Sequence, residues 1–222
     1  MTNPITGLFI RPFMQRRNAP KLIITQPSGI REEQFITIGG IEQWVTIRGQ
    51  DRSNPVLLIP HGGPGSPYTP FNSWLSEWEH SFTVVQWDQR GGGKTFRKNG
   101  EAGTGPLSFE KLASDGIELV EHLCAHLGHQ KIVLLGSSVG SFIGLLMIRH
   151  HPELFYAYVG TDQTGPGVPE ASYALTIGAA ELVGDKKGLA ALRAMGDHKS
   201  AWTSHQCLRM NKIAIKALNE RT

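Results

Sequence analysis

The chain has 222 residues, 40% of them hydrophobic and 18% charged, a balance typical of a globular protein and not of a disordered one. Its net charge of +3 is small, so composition gives no support to nucleic-acid binding. No stretch approaches the ~20 apolar residues of a membrane span, and the Pro- and Arg-containing N-terminus lacks the apolar run of a signal peptide. Two cysteines, Cys124 and Cys207, are too few for a disulfide framework, so we expect reduced thiols, a cytoplasmic location and no membrane partner.

The beginning of the chain predicts an arm followed by a hairpin. Residues 1–33 show no hydrophobic periodicity and contain four prolines, which favours a loosely ordered N-terminal arm. The Gly39-Gly40 dipeptide lies between two strand-like segments and is typical of a hairpin turn. The predicted strands are residues 34–40, 41–48, 56–59, 82–87, 132–135 and 156–159.

Helices alternate with these strands. Ser108 is a good N-cap for a helix over 109–127, whose apolar residues recur at helical intervals and which ends at Gly128. A second helix is predicted over 141–151. The alternation predicts a largely parallel sheet with helices on both faces.

The pattern changes after Gly160. Residues 161–169 have the Gly, Pro and Thr content of a linker, and no strand is predicted beyond them. We therefore place a boundary near residue 165, between a core over 34–165 and a helical segment over 166–222. The helices predicted in that segment are residues 171–183, 189–195 and 204–218.

One motif joins the strand at 132–135 to the helix that follows it. Gly136-Ser137-Ser138-Val139-Gly140 matches G-x-S-x-G, and the strand–turn–helix context is the one in which this motif forms a nucleophile elbow. A serine on so sharp a turn leaves no room for side chains two residues to either side, and only Ser138 has glycine at both positions. We predict that Ser138 is a catalytic nucleophile with an exposed Oγ.

A second glycine-rich turn, His61-Gly62-Gly63-Pro64-Gly65, follows the strand at 56–59. The carboxyl ends of parallel strands meet at one edge of a sheet, which places this turn beside Ser138. A serine that attacks a carbonyl needs rigid donors for the developing oxyanion, and backbone N–H groups provide them. We predict that the N–H groups of Gly63 and Val139 form this oxyanion hole.

Four motifs in order resemble the prolyl aminopeptidase (proline iminopeptidase) branch of the α/β-hydrolases. They are HGGPG, DQRGGGK, GSSVGS and YVGTDQ, each at the end of a predicted strand, and the resemblance covers roughly residues 34–165. It implies an α/β-hydrolase fold, a mostly parallel sheet with flanking helices, and a partial helical cap over 166–222. It also implies active-site loops that include Asp88, Gln89 and Arg90 beside the His61–Gly65 turn. No metal or organic cofactor is implied.

The chain departs from the family pattern in two ways. Val139 stands where the family usually has Trp, and Asp162 where Gly is common. In this fold the catalytic acid and histidine follow the serine on later strands, and the chain stops at Thr222 before any further strand. His198 and His205, both in the cap, are weak candidates for the base. We therefore expect an incomplete fold, truncated within the cap, with an open edge at 156–159 through which copies associate.

The function implied by the resemblance is a serine hydrolase, an aminopeptidase that acts on small peptides or on related amides and esters. We expect this 222-residue chain to be inactive, because the triad acid and histidine are absent from it. The alternative is a non-catalytic hydrolase fragment or a binder of small acyl compounds.

Three other patterns compete with this interpretation. Gly93-Lys94-Thr95 imitates the end of a phosphate-binding loop, but that motif needs glycine at Asp88, and we expect no helix after Thr95. His122 and His126 share a helix face that hints at metal, although a solvated face is favoured. For Asp88 and Arg90 we favour a mutual ion pair that braces their loop.

Overall fold

The computed structural model describes residues 16–17, 19–63, 65–165, 168–196 and 204–219. The chain divides into two compact units, with the boundary between Thr164 and Gly165. The predicted boundary near residue 165 falls at the same place. No helix in the described ranges is both long enough and apolar enough to cross a bilayer.

A six-stranded sheet organises the described part of the first unit. Its strands are β1 Ile30–Ile38, β2 Ile41–Gly49, β3 Val56–Pro60, β4 Thr83–Asp88, β5 Ile132–Ser137 and β6 Phe155–Thr161. Their order is β1-β2-β4-β3-β5-β6. β1, β2 and β4 pair antiparallel, whereas β4, β3, β5 and β6 pair parallel. The prediction of a mostly parallel sheet is confirmed, and the ends of β3, β4 and β5 lie at one edge.

The hairpin extends further toward the N-terminus than we predicted. β1 pairs with β2 over its whole length, from Ile30 opposite Gly49 to Ile38 opposite Ile41, and the turn lies at Gly39 and Gly40 as expected. The predicted arm over 1–33 is therefore wrong for residues 30–33. Adjacent charged residues at 31–33 break the alternation there, so the strand depends on its pairing with β2. Residues 1–15 and 18 of the arm lie outside the described residues.

Three helices flank the sheet: α1 Gly93–Thr104, α2 Phe109–Leu127 and α3 Val139–His150. The predicted ends of α2 are confirmed. Ser108 Oγ accepts a hydrogen bond from the Lys111 N–H at 3.1 Å, and Gly128 ends the helix in the left-handed conformation with φ of 76°. α3 starts two residues earlier than predicted.

α1 corrects the expectation that no helix follows Thr95. Its N-cap, Gly92, has no side chain, and the capping group comes instead from Asp88, whose Oδ2 accepts from the Lys94 N–H at 2.7 Å. Thr95 Oγ1 also donates to the Asp88 carbonyl. A carboxylate at the start of a helix satisfies a free N–H and complements the helix dipole. This cap is not visible as a local motif, and a kink at Gly100 weakens the helical pattern further.

Each face of the sheet buries apolar side chains. The face toward α2 and α3 packs Ile47, Leu58, Val85, Trp87 and Leu134 against Leu119, Leu123, Ile143 and Met147. The opposite face buries Leu57, Ile59 and Val84 under short 3₁₀ helices at Thr69–Trp74 and Trp78–His80. The same face carries an apolar groove of about 280 Å³, with Trp74 at its exposed rim.

The second unit contains three helices, α4 Val168–Leu182, α5 Lys186–Met195 and α6 Ser204–Asn219. They correspond to the three predicted helices. Ala180, Leu192, Met210 and Ile213 form their common core. Asp185 caps α5, because its Oδ1 accepts from the Gly188 N–H at 3.0 Å.

Candidate active site

Ser138 occupies the turn between β5 and α3 in an unusual backbone conformation. Its φ of 53° and ψ of −124° lie where side-chain-bearing residues are rare. In the described ranges only one other non-glycine residue, Asp162, has a positive φ. Ser138 is exposed. The predicted backbone strain is therefore confirmed, while the catalytic role of Ser138 stays a prediction.

The glycines on either side are required by close backbone contacts. A Cβ added at Gly136 would lie 2.5 Å from Gly140 O, and one at Gly140 would lie 2.2 Å from Pro60 O. Distances under 3.0 Å do not occur for real Cβ atoms. The turn is thus wedged against itself and against the end of β3, which is why the motif needs glycine two residues from Ser138 in both directions.

Hydrogen bonds fix the turn to the end of β6. The Ser138 N–H donates to Thr161 O at 3.1 Å, and Ser141 Oγ donates to Ser138 O at 2.6 Å. Ser137 Oγ donates to Asp162 Oδ2 at 3.2 Å. Asp162 has φ of 48°, which explains why glycine suits its position. These bonds hold the Ser138 backbone in place without using its Oγ.

The turn after β3 lies directly against Ser138. A Cβ added at Gly62 would be 3.3 Å from Ser138 Cβ and 2.9 Å from Ser137 O. Gly63 follows with φ of 124°, a conformation that favours glycine. The structure therefore brings the two predicted motifs together. Pro64 lies outside the described residues.

His61 is buried and bonded through both ring nitrogens. Its Nδ1 donates to Gly62 O at 2.9 Å, and its Nε2 accepts from the Gln89 N–H at 3.2 Å. A carbonyl can only accept and a backbone N–H can only donate, so the ring is the neutral Nδ1–H tautomer. Burial lowers the pKa of His61 below its usual value. His61 therefore links the β3 and β4 turns, and its nitrogens are not available as a general base.

The predicted ion pair between Asp88 and Arg90 is wrong. Asp88 Oδ1 accepts from Thr69 Oγ1 at 2.7 Å, and its Oδ2 accepts from the Lys94 N–H, so this carboxylate positions α1. Arg90 turns instead toward α2, where its Nε donates to Asp115 Oδ2 at 2.8 Å. The two side chains brace different elements because each has a nearer partner than the other.

Asp115 is a buried residue that the sequence reasoning missed. It is fully buried, and Gln43 Nε2 donates to its Oδ2 at 2.7 Å, in addition to the pair with Arg90. Arg90 also donates from Nη1 to Thr104 O at 2.9 Å and from Nη2 to Gly39 O at 2.8 Å. The missed signal was a carboxylate on the apolar face of α2, since buried charges are paired.

The structure assigns no base to Ser138. In the described part of the chain, no side chain forms a hydrogen bond with Ser138 Oγ. His150 is 3.3 Å from Glu110, and His151 is 2.8 Å from Glu153, both on the surface. His198 and the side chain of His205 lie outside the described residues.

The histidines on α2 make contacts that need no metal. His126 Nε2 lies 2.7 Å from Glu32 Oε2, and its ring stacks on His122 with 5.8 Å between centroids. Within the described ranges, no cluster of three or more metal-ligating side chains is present. Cys124, on the same helix, is half-buried, and burial raises the pKa of its thiol.

The fold and the turn geometry define a class of protein. The family described by the alpha/beta hydrolase fold matches residues 55–180, so the chain belongs to the α/β hydrolase family. It is 35% identical over 142 residues to the probable aminopeptidase YbaC of Bacillus subtilis, a match that covers 64% of this chain and 44% of that protein. It is 28% identical over 123 residues to a proline iminopeptidase of Lactobacillus delbrueckii subsp. bulgaricus, covering 54% of this chain and 40% of that protein. The matched part of the chain thus spans less than half the length of these curated relatives.

Solved structures agree on the fold. A proline iminopeptidase-related protein from Thermus thermophilus superposes with a TM-score of 0.52 at 20% identity, covering 85% of this chain and 67% of that one. A bacterial membrane phospholipase A gives a TM-score of 0.53 at 18% identity, covering 73% of this chain and 48% of that one. At such identities the likeness shows the fold alone.

Proposed function

We propose that Ser138 is the nucleophile of a serine hydrolase. The observation that carries this proposal is the positive φ of an exposed serine at a strand-to-helix turn. Strained backbone persists only where the surrounding structure fixes it, and it concentrates at functional sites. Here the contacts of Gly136 and Gly140 fix the strain, and the result is an Oγ presented to solvent at the sheet edge where sites of this fold occur.

The backbone around Ser138 supports an oxyanion hole. Val139 is the first residue of α3, so its N–H belongs to the positive end of a helix. Gly63 lies on the turn whose neighbour, Gly62, packs against Ser138. In the proposed reaction Ser138 Oγ attacks a carbonyl carbon, and the N–H groups of Gly63 and Val139 stabilise the oxyanion. The base that accepts the Oγ proton is not among the described contacts.

The substrate class follows from the relatives. Curated relatives named as an aminopeptidase and as proline iminopeptidases favour a small peptide, cleaved at its N-terminal bond, or a related amide or ester. We also propose a cytoplasmic location, on the basis of the few cysteines; cell fractionation tests it.

A covalent probe tests the assignment of the nucleophile. Treatment with 4-nitrophenyl acetate or an alkyl fluorophosphonate should modify Ser138, as located by peptide mass spectrometry. Ser138→Ala should abolish the modification, whereas Ser137→Ala, a change in the same turn, should retain it. Modification of Ser137 or Ser141, or labelling that persists in Ser138→Ala, would refute the proposal.

Turnover separates the two candidate functions. Without a base, catalysis by a serine enzyme falls to a residual ~10³–10⁴-fold over water. No described side chain contacts Ser138 Oγ, which favours a binder of small acyl compounds for this 222-residue chain alone. Slow labelling with no turnover of aminoacyl anilides supports that second function. Rapid turnover that Ser138→Ala abolishes supports the aminopeptidase.

A further inference from the structure

A cavity of about 510 Å³ opens beside the Ser138 turn, between the loop after β4 and the N-terminus of α2. Val139 and Gly65 form the side toward the proposed oxyanion hole. Leu107, Phe109 and Leu112 form the side toward α2. The cavity thus adjoins the residues proposed for chemistry and lies entirely within the first unit.

The side chains around this cavity are apolar and are held in place. Leu112 is 8% exposed and forms part of the main core. Leu107 and Phe109 are 56% and 45% exposed, which is high for large apolar residues in a monomer. The Phe109 ring is fixed by an edge-to-face contact with Phe142, with 5.1 Å between centroids. A fixed apolar wall with an exposed rim is typical of a ligand-binding site.

The polar side chains that line the cavity are used in internal bonds. The Arg90 guanidinium donates to Asp115 and to two backbone carbonyls, and its side chain is 5% exposed. Gln89 Nε2 donates to His61 O at 3.1 Å. Ser108 Oγ is the cap of α2. The described wall therefore offers no unpaired charge to a ligand, and a charged group placed there would lose water without gaining a partner.

We propose that this cavity binds the neutral apolar substituent next to the reacting carbonyl of the substrate. The inference rests on the proposed function, because Val139 both lines the cavity and follows Ser138 in the chain. A carbonyl at Ser138 Oγ, with its oxygen at the Val139 N–H, has a substituent within reach of the cavity. Leu107 and Phe109 then determine specificity, and they select a branched aliphatic or aromatic group over a charged one.

Probe binding tests the cavity without requiring catalysis. We expect benzyl alcohol to shift the methyl NMR signals of Leu107, Leu112 and Val139, and to bind about tenfold more tightly than benzoate or benzylammonium. Leu107→Asp should weaken benzyl alcohol binding about tenfold, and Leu107→Ala by a smaller factor in the same direction. The matched control is Leu145→Asp, a change at another exposed leucine that does not line the cavity; it should leave the affinity unchanged.

The outcomes separate this inference from the proposed function. Equal binding of the charged probes, no effect of either Leu107 variant, or shifts confined to the groove at Trp74 would overturn the cavity assignment. Ser138→Ala should leave benzyl alcohol binding unchanged. If Ser138 resists covalent probes while benzyl alcohol still binds as expected, the proposed nucleophile is wrong and the cavity stands as a binding site. If Ser138 is labelled and benzyl alcohol does not bind, the cavity inference alone fails.

Discussion

The turns that end β4 and β5 look alike in sequence and differ in how they use their side chains. Both are rich in glycine, both follow a buried strand and both contain a positive φ, at Gly91 in one and at Ser138 in the other. After β4, the side chains of residues 88–90 are buried and bonded to other parts of the first unit. After β5, the backbone carries the bonds and Ser138 is exposed.

The difference teaches how a site is divided between support and presentation. The β4 turn ties α1, α2 and the hairpin together through Asp88 and Arg90. The β5 turn is held by backbone contacts alone, so its central side chain is free to react. Strain of the kind seen at Ser138 costs on the order of 1–3 kcal/mol, which the surrounding structure must offset. The three changes below break one side of this comparison at a time.

The largest expected effect comes from Arg90→Leu. This change leaves Asp115 buried without its main cationic partner, and Thr104 O and Gly39 O without their donor. Removal of one member of a buried ion pair costs about 3–5 kcal/mol. We expect a fall of that size in the free energy of unfolding, measured in urea by fluorescence of the buried Trp87.

Arg97→Leu is the matched control. Arg97 is exposed and forms no ion pair with a described carboxylate, so its removal should change stability by less than about 0.5 kcal/mol. Similar effects of the two changes would mean that the buried network around Arg90 does not support the fold.

How much of this the sequence predicts depends on how local the signal is. α2 was predicted because its caps, Ser108 and Gly128, and its apolar periodicity all lie within the helix. The Ser138 turn was predicted because Gly136 and Gly140 report a steric requirement within five residues. In both cases the residues that form the structure are also the residues that identify it.

The errors arose where a distant partner decides. α1 was not expected because its cap is the Asp88 carboxylate, from the preceding strand. Arg90 was paired with Asp88, its near neighbour in sequence, whereas its partner Asp115 is 25 residues away. Self-association through β6, the last strand in the sheet order, stays a prediction, because pairing at that edge depends on a second molecule.

The second change, Gly140→Ala, breaks the other turn. The new Cβ would lie 2.2 Å from Pro60 O and 3.1 Å from the His61 carbonyl carbon, both backbone atoms that cannot move without displacing the end of β3. Overpacking of this kind costs about 1–3 kcal/mol. We expect a loss of that size by urea unfolding, together with loss of covalent labelling at Ser138 as the turn shifts.

Gly178→Ala in α4 provides the comparison. A Cβ there meets nothing within 4 Å, and alanine is favoured over glycine inside a helix by about 1 kcal/mol, so stability should not fall. Retention of full stability and labelling in Gly140→Ala would show that the contact with β3 does not fix the Ser138 backbone.

The smallest effect concerns His61, which joins the two turns. Burial keeps its pKa below the usual value of 6.5, so the unfolded chain binds a proton more readily than the folded one. The stabilising contribution of neutral His61 is therefore complete above 6.5 and is lost as the pH falls below that value toward the folded pKa. We expect the free energy of unfolding to decrease from about pH 8 to about pH 5, and to decrease less steeply in His61→Asn. Asparagine can still accept from Gln89 N–H or donate to Gly62 O without titrating, so the variant removes the proton linkage and keeps part of the bridge. His122, whose pKa burial also lowers, titrates in both proteins, so the difference between the two curves isolates His61. If the two curves have the same slope, His61 already exchanges protons in the folded state, and the bridge between the β3 and β4 turns is looser than these hydrogen bonds indicate.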